Sequence, residues 1–113
     1  MAAQSSETCS WCDGELAPHD GWRLQEVPGA RRAGFCRLEH IVPWSIQGAH
    51  WQPGEIEEPR GIADELTACA HCDEPLSDVY LLLVRHRGDH RIADAFCSVD
   101  HVAAWAKAGG RWR

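Results

Sequence analysis

The apolar and polar positions of the chain predict two β-hairpins. The segments GWRLQEV and VYLLLVRHR resemble strands, since each combines branched or aromatic residues with few breakers. The first is followed by a turn at Pro28 and Gly29 and the second by a turn at Gly88 and Asp89, after which second strands end at the letters GFC and DAFC. Each half of the chain is therefore predicted to hold one hairpin.

A short helix is predicted to follow each hairpin. From Cys36 and again from Cys97, the residues Cys, His and Trp recur every four positions, which keeps them near one helix face. Gly48 and Gly109 supply stop signals. Pro43 lies about two turns into the first helix, where proline normally kinks or ends a helix. The first helix is therefore predicted to be shorter or more bent than the second.

The two halves of the chain repeat one another. Each reads CxxCDxxL, then a variable middle, then FCxxxHxxxWxxxGxxW. Because the Cys and His positions are retained while nearly everything between them changes, they point to a shared chemical role. The matched pairs are Cys9 with Cys69, Cys12 with Cys72, Cys36 with Cys97, His40 with His101, and Trp44 with Trp105.

The retained residues predict two metal sites. A CxxC pair on a tight turn aims both sulfurs at one point, and a Cys with a His one helical turn later aims two more ligands from the opposite side. The predicted sites hold two structural Zn²⁺ ions per chain, because the protein fills all four ligand positions and leaves none for water. The ligands are Cys9, Cys12, Cys36 and His40 in the first site, and Cys69, Cys72, Cys97 and His101 in the second.

Other uses of the six cysteines explain the pattern less well. A redox CxxC pair usually opens a helix in a βαβ unit, which neither half predicts. Disulfides would leave His40 and His101 unexplained, and the start MAAQSSETCS does not resemble a signal peptide, so a cytoplasmic location with reduced thiols is expected. An iron–sulfur centre could use similar ligands, but two separate Cys3His sets favour zinc.

The organisation predicted for the 113 residues is tandem. A flexible N-terminal tail is predicted over residues 1–8 and is followed by a first zinc-binding unit over residues 9–51. An acidic connector over residues 52–68 then leads to a second zinc-binding unit over residues 69–113. A unit of roughly fifty residues has too little core to fold securely alone. Structural zinc contributes ~10–16 kcal/mol in zinc-finger peptides, so both units are expected to loosen or unfold without metal.

Retained aromatic and acidic residues are assigned to packing and turns. Trp44 and Trp105 are expected to pack under the hairpins. Trp51 and Trp112 are expected to fold back as lids or to meet between the units. Asp13 and Asp73 are expected to form turns, and the unmatched histidines to lie at the surface: His50, His86 and His90.

Each unit resembles a treble-clef zinc finger, in which a zinc knuckle, a β-hairpin and a short helix surround the metal. The letters FCS at residues 96–98 are similar to the FCS-type and TRASH-type fingers, and the resemblance covers about 45 residues of each unit. It implies a small α+β, zinc-stabilised fold. Those families usually close the site with Cys, so His40 and His101 depart from their pattern. They serve as interaction modules, nucleic-acid contacts or metal sensors, and the fold does not choose among these.

The letters EHIVP at residues 39–43 are similar to the DHIxP segment of HNH endonucleases. That resemblance implies that His40 is a general base that activates water. The downstream Asn and His of the family lack clear counterparts apart from His50, and the second half has no proline at the matching position. His40 is also needed as a zinc ligand, so the chain is expected not to be an enzyme.

The net charge of the chain favours one of the two remaining functions, protein interaction, over nucleic-acid binding. The formal charge of −6 becomes about −8 with six thiolates and two zinc ions, and no apolar run is long enough for a membrane span. A protein-interaction module with a basic partner surface is therefore expected. Nucleic-acid binding is the alternative, and it would use local arginines: Arg31, Arg32, Arg37, Arg85, Arg87, Arg91, Arg111 and Arg113. The sequence identifies neither the partner nor the oligomeric state.

Overall fold

Strands dominate the first part of each half, and a helix closes it. The computed structural model describes residues 7–17, 20–27, 31–54, 68–88 and 90–109. Residues 1–6 of the predicted N-terminal tail, most of the connector, the turn at Pro28 and Trp112 lie outside these residues, whereas the last two residues of that tail, Glu7 and Thr8, lie in a strand. Within them, the strands are β1 Glu7–Thr8, β2 Glu15–Leu16, β3 Asp20–Val27, β4 Arg31–Phe35, β5 Gln52–Pro53, β6 Tyr80–Arg87 and β7 His90–Phe96. The helices are α1 Ile41–Ile46 and α2 Val99–Lys107, and a 3-10 turn, Leu38–His40, directly precedes α1.

One five-stranded antiparallel sheet joins the two halves, in the strand order β5-β4-β3-β6-β7. The hairpins β3-β4 and β6-β7 meet at its centre, where β3 pairs with β6 from Asp20 opposite Arg87 to Val27 opposite Tyr80. β1 and β2 form a separate two-stranded sheet. The predicted hairpins and the small α+β class are confirmed, while the treble-clef assignment and the unit boundaries stay predictions.

The apolar run of β6 is explained by its central place in the sheet. Successive side chains of a strand point to opposite faces. Leu81 and Leu83 join the main core, while Leu82 and Val84 form a second cluster on the other face. A strand that is covered on both faces reads as a continuous apolar run instead of an alternating one.

His86 corrects one sequence expectation. Its side chain was expected at the surface, but only 3% of it is exposed. His86 lies on β6 opposite Gly21 of β3 and Arg91 of β7, so strands flank it on both sides. The pairing of the two hairpins, which the sequence does not reveal, accounts for the burial.

The main core contains side chains from both halves. Phe35 packs edge-to-face on Trp44 at a ring-centroid distance of 5.1 Å, and Phe96 packs on Trp105 at 5.3 Å. The prediction that Trp44 and Trp105 are core residues is confirmed, since 1% and 6% of their surfaces are exposed. Trp22 contacts Trp105 at 6.2 Å and so links the halves. These aromatic contacts make one core out of two hairpin-and-helix units.

Pro43 shortens the first α-helix. α1 has six residues and starts after the 3-10 turn, whereas α2 has nine. Pro43 is thereby the third residue of α1, within its first turn, where proline is better tolerated than in the middle of a helix. The predicted difference between the helices is confirmed. Neither described helix is long and apolar enough to cross a membrane.

Truncation of Leu83 tests the shared core. Leu83 is fully buried and lies opposite Leu24 on the central strand pair. We expect Leu83→Ala to lower the free energy of unfolding by about 2–5 kcal/mol, because it leaves a cavity between the halves. Urea unfolding followed by circular dichroism measures the change. As a control, Val79→Ala, at a side chain that is 53% exposed, should shift the same value by less than about 0.5 kcal/mol.

Candidate metal centres

Each CxxC pair lies on a tight turn, and the two turns have matching backbone hydrogen bonds. In the first, the Cys9 N–H donates to the Gly14 carbonyl at 2.8 Å and the Asp13 N–H to the Cys9 carbonyl at 3.0 Å. In the second, the Cys69 and Asp73 N–H groups make the corresponding bonds at 2.9 Å each. Asp13 and Asp73 have φ angles of 61° and 62°, a left-handed conformation that Asp tolerates better than most residues. Their predicted role as turn formers is confirmed.

Each turn is fastened to its hairpin at the end that carries the third cysteine. The Ser10 N–H donates to the Gly34 carbonyl at 2.6 Å, and the Ala70 N–H to the Ala95 carbonyl at 2.8 Å. The Ser10 hydroxyl also accepts a hydrogen bond from the Gly34 N–H at 3.0 Å. Gly34 and Ala95 lie two residues before Cys36 and Cys97, so these bonds bring the two parts of each site together.

The third and fourth ligands stand between anchored core residues. Cys36 directly follows Phe35, which ends β4 and is fully buried, and His40 precedes the fully buried Ile41. In the second site, the Ser98 hydroxyl caps α2 by accepting from the His101 N–H at 3.3 Å. This cap was not found from the sequence, although a Ser directly before a helical pattern is its usual signal.

The structure places the eight predicted ligands in two groups of four. In each group the ligand atoms all lie within 4.8 Å of one another. In the first, Cys9 Sγ and Cys36 Sγ are each 3.5 Å from His40 Nδ1, and Cys12 Sγ is 3.6 Å from Cys36 Sγ.

The second group has nearly the same spacing. Cys69 Sγ is 3.6 Å from His101 Nδ1, and Cys72 Sγ is 3.7 Å from Cys97 Sγ. Cys97 Sγ and His101 Nδ1 are closer, at 2.7 Å. In both groups the histidine presents Nδ1 to the sulfurs.

These separations suit a tetrahedral metal ion. Metal–sulfur bonds of about 2.3 Å and metal–nitrogen bonds of about 2.0–2.1 Å place two sulfurs about 3.8 Å apart and a sulfur and nitrogen about 3.6 Å apart. The observed sulfur–sulfur distances, 3.6 and 3.7 Å, match this spacing, and all six cysteines are free thiols. The distance between Cys97 Sγ and His101 Nδ1, 2.7 Å, is shorter than this spacing. Each group can therefore hold one metal ion.

The electrostatics of each group favour a bound cation. For Cys9, burial raises the pKa, but hydrogen bonds from backbone N–H groups and from His40 outweigh it and lower the pKa to about 6. For Cys36, burial and the neighbouring sulfurs of Cys12 and Cys9 raise the pKa to about 11. The pKa values of Cys69 and Cys97 are about 6 and about 12 for the same reasons. In each group one cysteine loses its proton at a low pKa, whereas the raised pKa of the next shows that a second thiolate costs free energy. Three thiolates together therefore need a cation to balance their charge.

The two groups differ in exposure. Cys9 and Cys69 are buried, but Cys12 is exposed whereas its counterpart Cys72 is half-buried. Trp11, beside Cys12, is 40% exposed. His71 lies outside the ligand group of the second site, yet its ring centroid is 5.1 Å from that of His101. The first site is therefore the more accessible of the two.

The residues of the nuclease resemblance have other contacts. The Nδ1 atom of His40 faces Cys9 and Cys36, so this nitrogen belongs to the ligand group. The backbone carbonyl of His50 accepts a hydrogen bond from the Trp44 indole N–H at 3.3 Å. The general-base role that the nuclease resemblance implies for His40 is untested, and the expectation that the chain is not an enzyme stays a prediction.

Several arginines of the nucleic-acid alternative interact with the chain itself. Arg31 donates two hydrogen bonds to the Glu26 carboxylate, and its guanidinium lies 5.1 Å from the ring centroid of Trp51. The Arg85 guanidinium lies 5.0 Å from the centroid of Trp22. Arg111 and Arg113 lie outside the described residues. Nucleic-acid binding also stays untested.

Comparison with known proteins adds no family: no protein-family model, no curated protein and no solved structure matches the chain. The functional interpretation therefore rests on the two ligand groups and on the surface of the fold that carries them.

Asp94 is a titratable residue that the sequence pattern did not single out. It lies on β7 opposite Leu83, at the position that matches the fully buried Ala33 in the first half. Burial raises the pKa of the Asp94 carboxyl to about 6. The folded protein thus holds a proton at Asp94 more tightly than the unfolded chain does, and this contribution to stability is lost as the pH rises through about 6.

We expect Asp94→Asn to stabilise the protein more at pH 7.5 than at pH 5, because the amide removes the cost of a partly buried carboxylate. Thermal unfolding of the wild type and of Asp94→Asn at a series of pH values measures the difference in stability. Effects of pH on other groups occur in both proteins and cancel in the comparison. Asp78→Asn, at an exposed position, is the control and should show no such trend. If the melting temperatures of the wild type and Asp94→Asn differed by the same amount at every pH, the raised pKa of Asp94 would be contradicted.

Proposed function

We propose that this chain is a non-enzymatic zinc-binding protein with two structural Cys3His zinc sites, in which treble-clef-like units act as a protein-interaction adaptor. The single observation that carries the proposal is the convergence of three sulfurs and one imidazole nitrogen in each half. Thiolate and imidazole ligands in tetrahedral array are the set that zinc prefers. The chain fills all four positions, so a structural role is favoured over catalysis.

The adaptor role is supported by an apolar groove and an exposed apolar side chain at the surface of the protein. An open groove of about 600 Å³ lies between the start of the first helical segment and the end of α2, where Leu38, Val42, Pro43 and Ala106 form its apolar lining. Ile46, nearby on α1, is 75% exposed. An apolar segment of another protein would bury these side chains. The net charge of −6 favours a partner whose surrounding surface is basic.

Metal stoichiometry tests the zinc sites. We expect native mass spectrometry of the reduced full-length protein to find two zinc ions per chain, and one in Cys36→Ser, which removes a ligand from the first site only. Chelation should abolish much of the strand and helix signal in circular dichroism, because each half depends on its metal. The control His71→Ala, beside the second site but outside its ligand group, should retain two ions. Reduced wild-type protein that binds no zinc, or that stays folded without it, would refute the proposal.

The adaptor role is tested with the metal-loaded full chain as bait in extracts of its native cells. We expect a protein partner to be retained by the wild type and lost with Val42→Asp, which places a charge in the groove. Ser45→Asp, on α1 but outside the groove lining, is the matched control and should retain the partner. Both variants must first be shown to hold two zinc ions. A partner that both variants retain would place the interaction elsewhere on the surface.

A further inference from the structure

We propose that the two metal sites are energetically coupled: a metal ion at either site raises the affinity of the other, through the β3–β6 strand pair and the core that this pair shares with both helices. The inference rests on the proposed zinc binding. It adds a property that two independent zinc units would lack, namely concerted loading and release of metal.

The first link is the central strand pair. β3 and β6 are paired along eight residues, and each is also the hairpin partner of a strand that ends at a ligand. Cys36 follows β4 and Cys97 follows β7, so the two ligand strands lie on either side of the central pair. A two-stranded hairpin alone is marginally stable at best. If the β3–β4 hairpin loosens, β6 loses its pairing partner β3. If the β6–β7 hairpin loosens, β3 loses its pairing partner β6.

The second link is the core beneath the ligands. Phe35 and Phe96, the residues directly before the ligands Cys36 and Cys97, are both fully buried in one cluster. Leu24 and Leu83 lie opposite each other between them, on the central strands of the same cluster. A core of this kind is close-packed, so disorder at one end removes packing partners at the other.

The third link is an aromatic contact between the halves. Trp22 lies on β3 opposite Phe35, beside the first site. Its ring centroid is 6.2 Å from that of Trp105, which lies on α2 one turn after the ligand His101. α1 and α2 also contact each other directly. The helix that supplies the histidine of the second site is thus packed against the hairpin of the first.

The coupling follows from the cost of ordering. Binding a metal at one site must order the ligands and the core around them, and this cost is shared because the core is shared. A second ion then binds to a chain that is already ordered and gains affinity. Couplings between protein sites are typically 5–150-fold, and thermodynamic linkage makes the effect equal in both directions.

The test uses Zn²⁺ itself, added in steps to metal-free, reduced full-length protein and followed by native mass spectrometry. For independent sites, equal or unequal, at least half of the chains carry one ion at half saturation. We expect clearly fewer than half, with metal-free and two-zinc chains dominating. In Cys36→Ser and Cys97→Ser, we expect the remaining site to bind zinc at least about 5-fold more weakly than the mean site affinity of the wild type.

A variant at the contact between the halves locates the coupling. Trp22→Leu leaves all eight ligands in place, so it should still bind two ions at saturation, while its one-zinc fraction at half saturation should rise above that of the wild type. The matched control is Trp11→Leu, at an exposed tryptophan beside a ligand of the first site, and it should keep the wild-type distribution. If Trp22→Leu fails to fold, the single-site cysteine variants still decide the question.

The outcomes separate the coupling from the zinc sites themselves. A wild-type chain that binds no zinc refutes the proposed function. A wild-type chain that binds two ions, with half or more of the chains in the one-zinc form at half saturation, overturns the coupling and leaves the zinc sites standing.

Discussion

Three sulfurs and one imidazole converge in each half of the chain, with every ligand atom within 4.8 Å of the others. Such a cluster carries its own electrostatic cost, since a first thiolate raises the pKa of the next, as the value of about 11 for Cys36 reflects. A divalent cation bound there would remove that cost and would tie a turn, a hairpin and a helix together.

The sheet gives the two clusters a common framework. Pairing of β3 with β6 places the hairpins side by side, and both helices pack over the same core. Trp22 and Trp105 make contact across the boundary between the halves. This arrangement creates features that neither half has alone: the central place of β6, the burial of His86 and the groove between the helical segments.

The halves share a frame but differ in local detail. Pro43 delays the first α-helix to Ile41, behind a 3-10 turn, whereas Ser98 caps a longer second helix that already contains the ligand His101. Both routes bring a histidine Nδ1 to the sulfurs. The proline therefore changes the path of the helix and leaves the ligand in reach, and its ring joins the lining of the groove.

Local elements and candidate ligands could be predicted from the amino-acid sequence, because turn residues and the four-residue spacing of Cys, His and Trp act over short distances and the frame occurs twice. It predicted both hairpins, the core tryptophans and the shorter first helix. The way the hairpins meet, the burial of His86 and the partly buried position of Asp94 opposite Leu83 became visible only in the folded structure. Pairing between β3 and β6 depends on the complementarity of two surfaces that are far apart in the sequence, and no local pattern encodes it.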